Sequence, residues 1–172
     1  MLCAFVAVGA PSARTPRVGL VAAALLLVTS APALADATLF IGSTTTPANR
    51  PTKGVALGVG LLLVGFEFEF AEASEAVEEA APSLRTGMGN VLLQTPFPIG
   101  GMQFYVTTGA GLYRERLGVR QETHVGVNTG GGAKITLLGP IRARLDYRVF
   151  RLRGKPLHPT VHRIYAGLNL AF

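Results

Sequence analysis

The sequence predicts an all-β fold, an eight-stranded antiparallel up-and-down transmembrane β-barrel preceded by a signal peptide. Apolar and polar residues alternate along eight stretches after residue 35, as they do in strands with two different faces. A short apolar segment near the N-terminus has the pattern of a cleaved export signal. The last alternating stretch carries its apolar stripe to the terminal Phe172. A closed barrel pairs every strand, so its backbone can be satisfied inside lipid.

Residues 1–35 are predicted to be the signal peptide and residues 36–172 a single outer-membrane β-barrel domain. Two arginines precede an apolar core of eleven residues, and Ala33-Leu34-Ala35 matches a small-x-small cleavage site. This core is shorter than the roughly 20 residues that a membrane-spanning helix needs. An uncleaved N-terminal anchor is the alternative.

The composition argues against two kinds of site. The 16 Lys and Arg exceed the 10 Asp and Glu, but the cations are spread over strands and loops rather than gathered in one run. This distribution argues against nucleic-acid binding. The single cysteine, Cys3, lies in the predicted signal, so the predicted mature chain has no thiol for a disulfide or a metal. We expect no cofactor.

The first four strands are predicted from short alternating segments at residues 38–42, 55–64, 66–71 and 84–95. The third has the strictest alternation, with three phenylalanines on one face and Glu67 and Glu69 on the other. Residues 43–53 are rich in Thr, Pro and Asn and are predicted to be a loop. The Ala- and Glu-rich residues 72–83 favour a helical turn that Pro82 ends.

The last four strands are predicted at residues 102–113, 123–137, 141–149 and 162–172. Short turns are expected after strand two near Gly65, after strand four at residues 96–101, and after strand six at Gly139-Pro140. The links after strands one, three, five and seven are predicted to be longer. This rhythm places both termini and the short turns on the periplasmic side.

Strand seven indicates which face meets lipid. Its two faces differ completely: Ile141, Ala143, Leu145, Tyr147 and Val149 on one, Arg142, Arg144, Asp146 and Arg148 on the other. If the pairing of this strand slipped by one residue, three arginines would face lipid. Each would destabilise the barrel by roughly 2–4 kcal/mol near mid-bilayer, on the order of 6–12 kcal/mol in total. Gly130 and Gly132 on the polar face of strand six suit a crowded, narrow interior. A soluble lipocalin-like barrel with the opposite sense is the alternative.

The interior of the barrel is therefore predicted to hold a charge network. Its predicted members are Glu67, Glu69, Arg142, Arg144, Asp146 and Arg148, with Tyr105 and Asn128 as further polar partners. Buried charges are costly unless they are paired, and the lumen of an eight-stranded barrel is just wide enough for side chains to fill it. We expect this network to plug the lumen.

The sequence gives little support for a catalytic site. The mature serines, Ser43, Ser74 and Ser83, fall in predicted loop segments, so a serine nucleophile oriented by a histidine is weakly supported. His158 and His162 are four residues apart with no third ligand in the sequence, which argues against a metal site. We expect neither catalytic nor metal-binding residues.

Four segments resemble a known family: residues 66–70, 105–113 and 125–132, and the strand that closes on Phe172. Their order is similar to that of the bacterial outer-membrane β-barrel domain superfamily, the small eight-stranded group with OmpA-type and OmpX-like barrels. The resemblance implies that the barrel-assembly machinery recognises the last strand and its terminal Phe172.

Together these features predict a non-enzymatic protein of the bacterial outer membrane with a structural or surface-interaction role. Its expected partners are outer-membrane lipid and lipopolysaccharide, with the assembly machinery during biogenesis; no nucleic acid or specific small molecule is expected. The charged links between strands are the surface available for such contacts. A narrow porin-like channel is the first alternative function, and a lipid-modifying enzyme is the second.

Overall fold

The computed structural model describes residues 34–172, which form one closed barrel of eight antiparallel strands. The strands are β1 (Leu34–Thr44), β2 (Arg50–Leu61), β3 (Val64–Ala73), β4 (Ser83–Gln94), β5 (Met102–Leu117), β6 (Arg120–Leu138), β7 (Ile141–Leu152) and β8 (Thr160–Ala171). Each strand pairs with the next, and β8 pairs with β1. The predicted fold is confirmed. Residues 1–33 of the predicted signal lie outside the described residues, so the domain division stays a prediction.

The two ends of the barrel differ in their connections. At one end, which we call the turn end, lie the β2–β3, β4–β5 and β6–β7 turns, the start of β1 and the end of β8. At the other, the loop end, lie the links 45–49, 74–82 and 153–159 and the β5–β6 hairpin. Among the described residues, no helix is long and apolar enough to cross a membrane.

The prediction of a longer link after strand five is wrong. β5 and β6 continue past the other strands and close in a two-residue turn at Gly118 and Val119. Burial keeps a period of two in this region, with Tyr113 and Glu115 inward and Arg114 and Arg116 outward, and Arg116 pairs with Gln121 in the ladder. Gly118 has a φ of +58°, which the tight turn requires and glycine adopts readily.

Two further boundaries differ from the prediction. The β2–β3 turn lies at Leu62 and Leu63, and Gly65 is a buried member of β3 that pairs with Gly60. The first loop shrinks to residues 45–49 because the start of β2 pairs with the end of β1. The predicted helical turn is present as a short 3₁₀ helix at Val77–Glu79.

In the middle of the strands, large apolar side chains face outward and the ionic ones face the lumen. Phe66, Leu145 and Leu168 are half or more exposed on the outside of the protein. Their sequence neighbours Glu67 and Arg144 are buried inside. This orientation of the two strand faces is that of a membrane barrel and is the reverse of that in a soluble barrel.

Towards the loop end, buried polar side chains such as Arg50 and Glu115 lie together with a set of packed apolar side chains. We call the apolar set the apolar cluster: Ala73, Leu84, Met88, Tyr113, Phe150, Leu152 and Val161. On the other side of this cluster, Phe40 stacks on Tyr165 with 4.1 Å between ring centroids. Tyr165 also contacts the charged groups that fill the middle of the lumen.

Candidate functional site: an ionic layer inside the barrel

The charged side chains in the lumen come mainly from two strands on opposite walls. Arg144, Asp146 and Arg148 occupy alternate positions of β7 and therefore point to the same side, into the lumen. Glu67 and Glu69 do the same on β3. Three strands separate β3 from β7 in either direction around the barrel, so their side chains meet across its width.

Glu67 bridges two arginines of the opposite wall. Its Oε1 accepts a hydrogen bond from Nη2 of Arg148 at 2.8 Å. Its Oε2 accepts one from Nη1 of Arg144, and Nη2 of Arg144 lies 3.3 Å from Oε1. Both guanidinium groups are inaccessible to solvent, and the carboxylate is 2% exposed, so the three charges depend on one another rather than on water.

The carboxylate of Asp146 accepts hydrogen bonds from the two arginines that precede and follow it on the inward face of β7, and from two tyrosines. Nη2 of Arg144 and Nε of Arg148 each donate to its carboxylate at 3.0 Å. The hydroxyl of Tyr165 donates to Oδ2 at 2.9 Å, and that of Tyr105 donates to the same oxygen. Charge-assisted bonds of this kind satisfy a carboxylate that has no access to water.

Glu69 pairs with a third arginine, Arg163 of β8. Nη1 of Arg163 donates to Oε1 of Glu69 at 2.9 Å, and Nη1 of Arg148 lies 3.1 Å from Oε2. The guanidinium of Arg163 also lies over the ring of Phe150, 4.3 Å from its centroid. The last contact joins these charges to the apolar cluster.

We call the six charged residues the ionic layer: Glu67, Glu69, Arg144, Asp146, Arg148 and Arg163. Three carboxylates face three guanidinium groups, so the layer is formally neutral. A separate ion pair, Lys134 with Asp36, lies nearer the turn end and is also largely buried. A neutral, hydrogen-bonded set is the form in which charges tolerate burial.

Two glycines of β6 make room for this layer. A Cβ on Gly132 would lie 2.5 Å from the hydroxyl oxygen of Tyr105. A Cβ on Gly130 would lie 2.9 Å from Cγ of Arg148. Both glycines therefore face large polar side chains at a distance that no other residue permits.

No protein-family model matches the chain, and no curated protein matches it. Solved structures do. The N-terminal β-barrel domain of Pseudomonas aeruginosa OprF superposes with a TM-score of 0.61 at 15% identity, over 81% of this chain and 97% of that one. Neisserial surface protein A gives 0.60 at 14% identity, over 81% and 96%. The outer-membrane enzyme PagL gives 0.52 at 10% identity, over 78% and 98%.

The chain has the fold of the small eight-stranded outer-membrane β-barrels. Sequence identities this low show the fold alone. The matches include an enzyme, PagL, so the activity of this outer-membrane-type barrel has to be argued from its own residues.

The structure brings most of the predicted interior residues of the barrel together. Of the six predicted charges, all but Arg142 are in the ionic layer. Arg142 is half-buried near the turn end, with Nη1 3.4 Å from Oε1 of Gln103. Asn128 bonds to Asn90 at 2.8 Å in a separate amide pair.

Sequence reasoning missed Arg163, which the barrel places inside on β8 together with Tyr165. The signal for Arg163 was present, because it alternates with the outward Ile164 in the same way that Arg144 alternates with Leu145. The Lys134–Asp36 pair was also missed; these residues lie on β6 and β1, and only the closed barrel shows that they meet.

The serines and histidines of the barrel have separate partners. The hydroxyl of Ser83 donates to the carbonyl of Arg116 at 3.3 Å. Nδ1 of His162 lies 2.7 Å from the hydroxyl of Tyr147, and Nδ1 of His124 accepts the next backbone N–H. Within residues 34–172, no group of three His, Cys, Asp or Glu side chains is placed to hold a metal ion.

Proposed function

We propose that this protein is a non-enzymatic outer-membrane β-barrel with a structural or surface-interaction role, and that the ionic layer plugs its lumen. The observation that carries the proposal is the layer itself. Its charges come from opposite walls, are almost inaccessible to solvent, and pair across the lumen.

A solute crossing the barrel would have to separate these pairs. The lumen of an eight-stranded barrel has little room beyond its own side chains. Removing one partner of a buried ion pair costs about 3–5 kcal/mol, and an open path through the layer requires several pairs to part. Hence the paired state favours a closed barrel over a channel.

Planar-bilayer recording tests the plug. We expect no discrete conductance steps from the folded protein, with insertion verified by its heat-modifiable gel migration. Discrete openings would contradict the plug and favour the alternative of a narrow channel. Mass spectrometry of lipid A from cells with and without the protein tests the absence of enzyme activity, for which we expect identical spectra.

A row of cations on the outside of the barrel supports a surface-interaction role. Lys53, Glu72, Arg85 and Arg114 are consecutive partners in the ladder from β2 to β5 and face outward at the loop end. Glu72 pairs with Arg85 at 2.8 Å. We call Lys53, Arg85 and Arg114 the outward cation row, and it borders the apolar face.

This position suits contact with the anionic phosphates of lipopolysaccharide in the outer leaflet. The attraction between a surface cation and an anionic headgroup is about 1 kcal/mol and falls off within a Debye length. Binding of lipopolysaccharide should therefore weaken with salt. At a given salt concentration, Lys53→Gln and Arg114→Gln should each bind lipopolysaccharide more weakly than the wild-type protein, whereas Lys155→Gln on the last loop should bind it equally well. Equal losses in all three variants would show that only net charge matters.

A further inference from the structure

The turns at the turn end of the barrel are uncharged and apolar, while the Lys134–Asp36 pair and Arg142 lie inside the lumen next to them. Within the described chain, the turn segments 61–64, 95–102 and 137–141 contain no Asp, Glu, Lys, Arg or His. Six large apolar side chains in these turns are between 45% and 78% exposed; we call them the apolar rim: Leu62, Leu63, Phe97, Ile99, Leu137 and Leu138. A turn that projects into water usually carries polar residues, so this rim needs another environment.

The backbone of the first turn is satisfied by protein groups. The side-chain amide of Gln94 donates to the carbonyl of Leu62 at 3.2 Å, and its backbone N–H donates to that of Leu63 at 2.8 Å. In the next turn, the amide of Gln103 donates to the carbonyl of Thr95 at 3.1 Å. Water would satisfy these carbonyls in an aqueous turn, whereas hydrocarbon would not.

Several backbone groups of the other turns are also paired within the protein. The carbonyl of Gly101 accepts the N–H of Thr136, and that of Pro140 accepts the N–H of Ala171, both at 2.9 Å. Pro96, Pro98 and Pro140 have no N–H that could be left unpaired.

On β3 and β7, the length of strand between an outward charge near the loop end and the turn end is close to the height of the apolar band. Glu72, in register with the outward cation row, lies nine residues from Leu63, and Arg151, outward on β7, lies ten from Ile141. At about 3.3 Å per residue and a tilt of about 40°, these distances correspond to about 23–25 Å along the barrel axis. The apolar band of outer-membrane barrels is itself about 25 Å tall.

We propose that the apolar rim is seated among the acyl chains of the inner, phospholipid leaflet of the outer membrane, so that the turn end does not project into the periplasm. The occupant of this surface is lipid. The inference rests on the membrane location in the proposed function. Docking of a soluble protein on the rim is the competing outcome.

Cysteine accessibility tests the inference in the full chain. Cys3 is the only cysteine, so a Cys3→Ser background allows single cysteines to be placed at will. The variants are Phe97→Cys and Leu138→Cys on the rim, Val119→Cys at the tip of the β5–β6 hairpin, and Leu145→Cys in the middle of the apolar face. All are reconstituted in nanodiscs of phosphatidylethanolamine and phosphatidylglycerol, where both ends of the barrel meet the same solution.

The readout is the rate of reaction with a charged maleimide, after heat-modifiable migration has shown that each variant is folded. A penalty of about 1.4 kcal/mol for bringing the reagent to the thiol slows labelling about tenfold. We expect at least this reduction for the two rim cysteines relative to Val119→Cys. Rim cysteines that react as fast as Val119→Cys would overturn the inference and leave the rim available to a soluble partner.

Leu145→Cys distinguishes an error in the rim inference from an error in the membrane assignment. If the barrel spans a bilayer, this cysteine is shielded whether or not the rim is. Fast labelling at residue 145 would overturn the membrane assignment and the rim inference with it. Fast labelling at the rim alone would leave the proposed function intact.

Fluorescence gives a second measurement. The chain has no tryptophan, so Phe97→Trp and Val119→Trp each introduce a single one. In vesicles of lipid brominated along the acyl chain, we expect Phe97→Trp to lose most of its emission and Val119→Trp to keep it. If Phe97→Trp kept as much of its emission as Val119→Trp, the rim would lie in water and the inference would be wrong.

Discussion

Glu67 and Arg148 meet across the full width of the barrel. Oε1 of Glu67 on β3 lies 2.8 Å from Nη2 of Arg148 on the opposite β7, and neither side chain is more than 2% exposed. Because three strands separate β3 from β7 in each direction, this contact links walls that share no backbone hydrogen bond. The ionic layer therefore braces the barrel from within.

Glu67→Gln should destabilise the folded barrel strongly. The substitution keeps the shape of the side chain but removes the charge that faces Arg144 and Arg148, so two buried guanidinium groups share fewer carboxylates. A loss of about 3–5 kcal/mol in the free energy of unfolding is expected for a broken buried pair. Urea unfolding in lipid vesicles, followed by heat-modifiable migration, measures it.

Glu72→Gln is the matched control, since it makes the same change on the same strand. Glu72 pairs with Arg85 on the outside, where the two side chains are 35% and 56% exposed. An exposed pair contributes about 0–1 kcal/mol. Equal effects of the two substitutions would remove the structural role assigned to the ionic layer.

Gly132→Ala should destabilise the barrel through a steric clash. The added Cβ would clash with the backbone carbonyl oxygen of Leu145 and would lie 2.5 Å from the hydroxyl oxygen of Tyr105, which is held by Asp146 and Arg144. Overpacking of this kind costs about 1–3 kcal/mol. Gly89→Ala is the control, because its Cβ would face outward with no atom nearer than 3.8 Å. A similar unfolding midpoint for both alanine variants would show that the interior at Gly132 is not crowded.

The fold was predictable because period-two alternation carries both the strand and its inward face. On β7, Leu145 between Arg144 and Asp146 is enough to fix the register, since a slip would place arginines in lipid. The same alternation on β8 places Arg163 inside. Arg163 was overlooked because β8 has no acidic residue that would suggest an ion pair.

The contacts within the lumen could not be read from single strands. Both Glu67 and Arg148 were predicted to face inward, but their meeting depends on the number of strands between them. Arg142 satisfies the same alternation as Arg144, yet it lies nearer the turn end and contacts Gln103 instead. The link after strand five was wrongly predicted because a run of charged residues is typical of a loop, although inward and outward positions continue to alternate there.

Of the ionic layer and the apolar cluster, we predict that the ionic layer alone is enough to keep the lumen closed. The double variant Tyr113→Ala with Phe150→Ala removes the two largest side chains of the apolar cluster and leaves all six charged residues of the ionic layer in the chain. It should show no conductance steps in planar bilayers. Adding Glu67→Ala and Arg144→Ala, which removes one charge of each sign, should produce openings. Conductance in the first double variant would show that the apolar cluster is the barrier.

The last prediction concerns Phe172, whose side chain is 70% exposed and whose N–H donates to the carbonyl of Ala35 at the β1–β8 seam. If the assembly machinery recognises this residue, Phe172→Ala should lower the amount of folded barrel in the outer membrane while leaving refolding in detergent micelles unchanged. Phe97→Ala is the matched control, because Phe97 is equally exposed at the same end. We expect it to keep normal levels in the membrane. A comparable loss for both variants would mean that assembly responds to rim hydrophobicity rather than to the terminal residue.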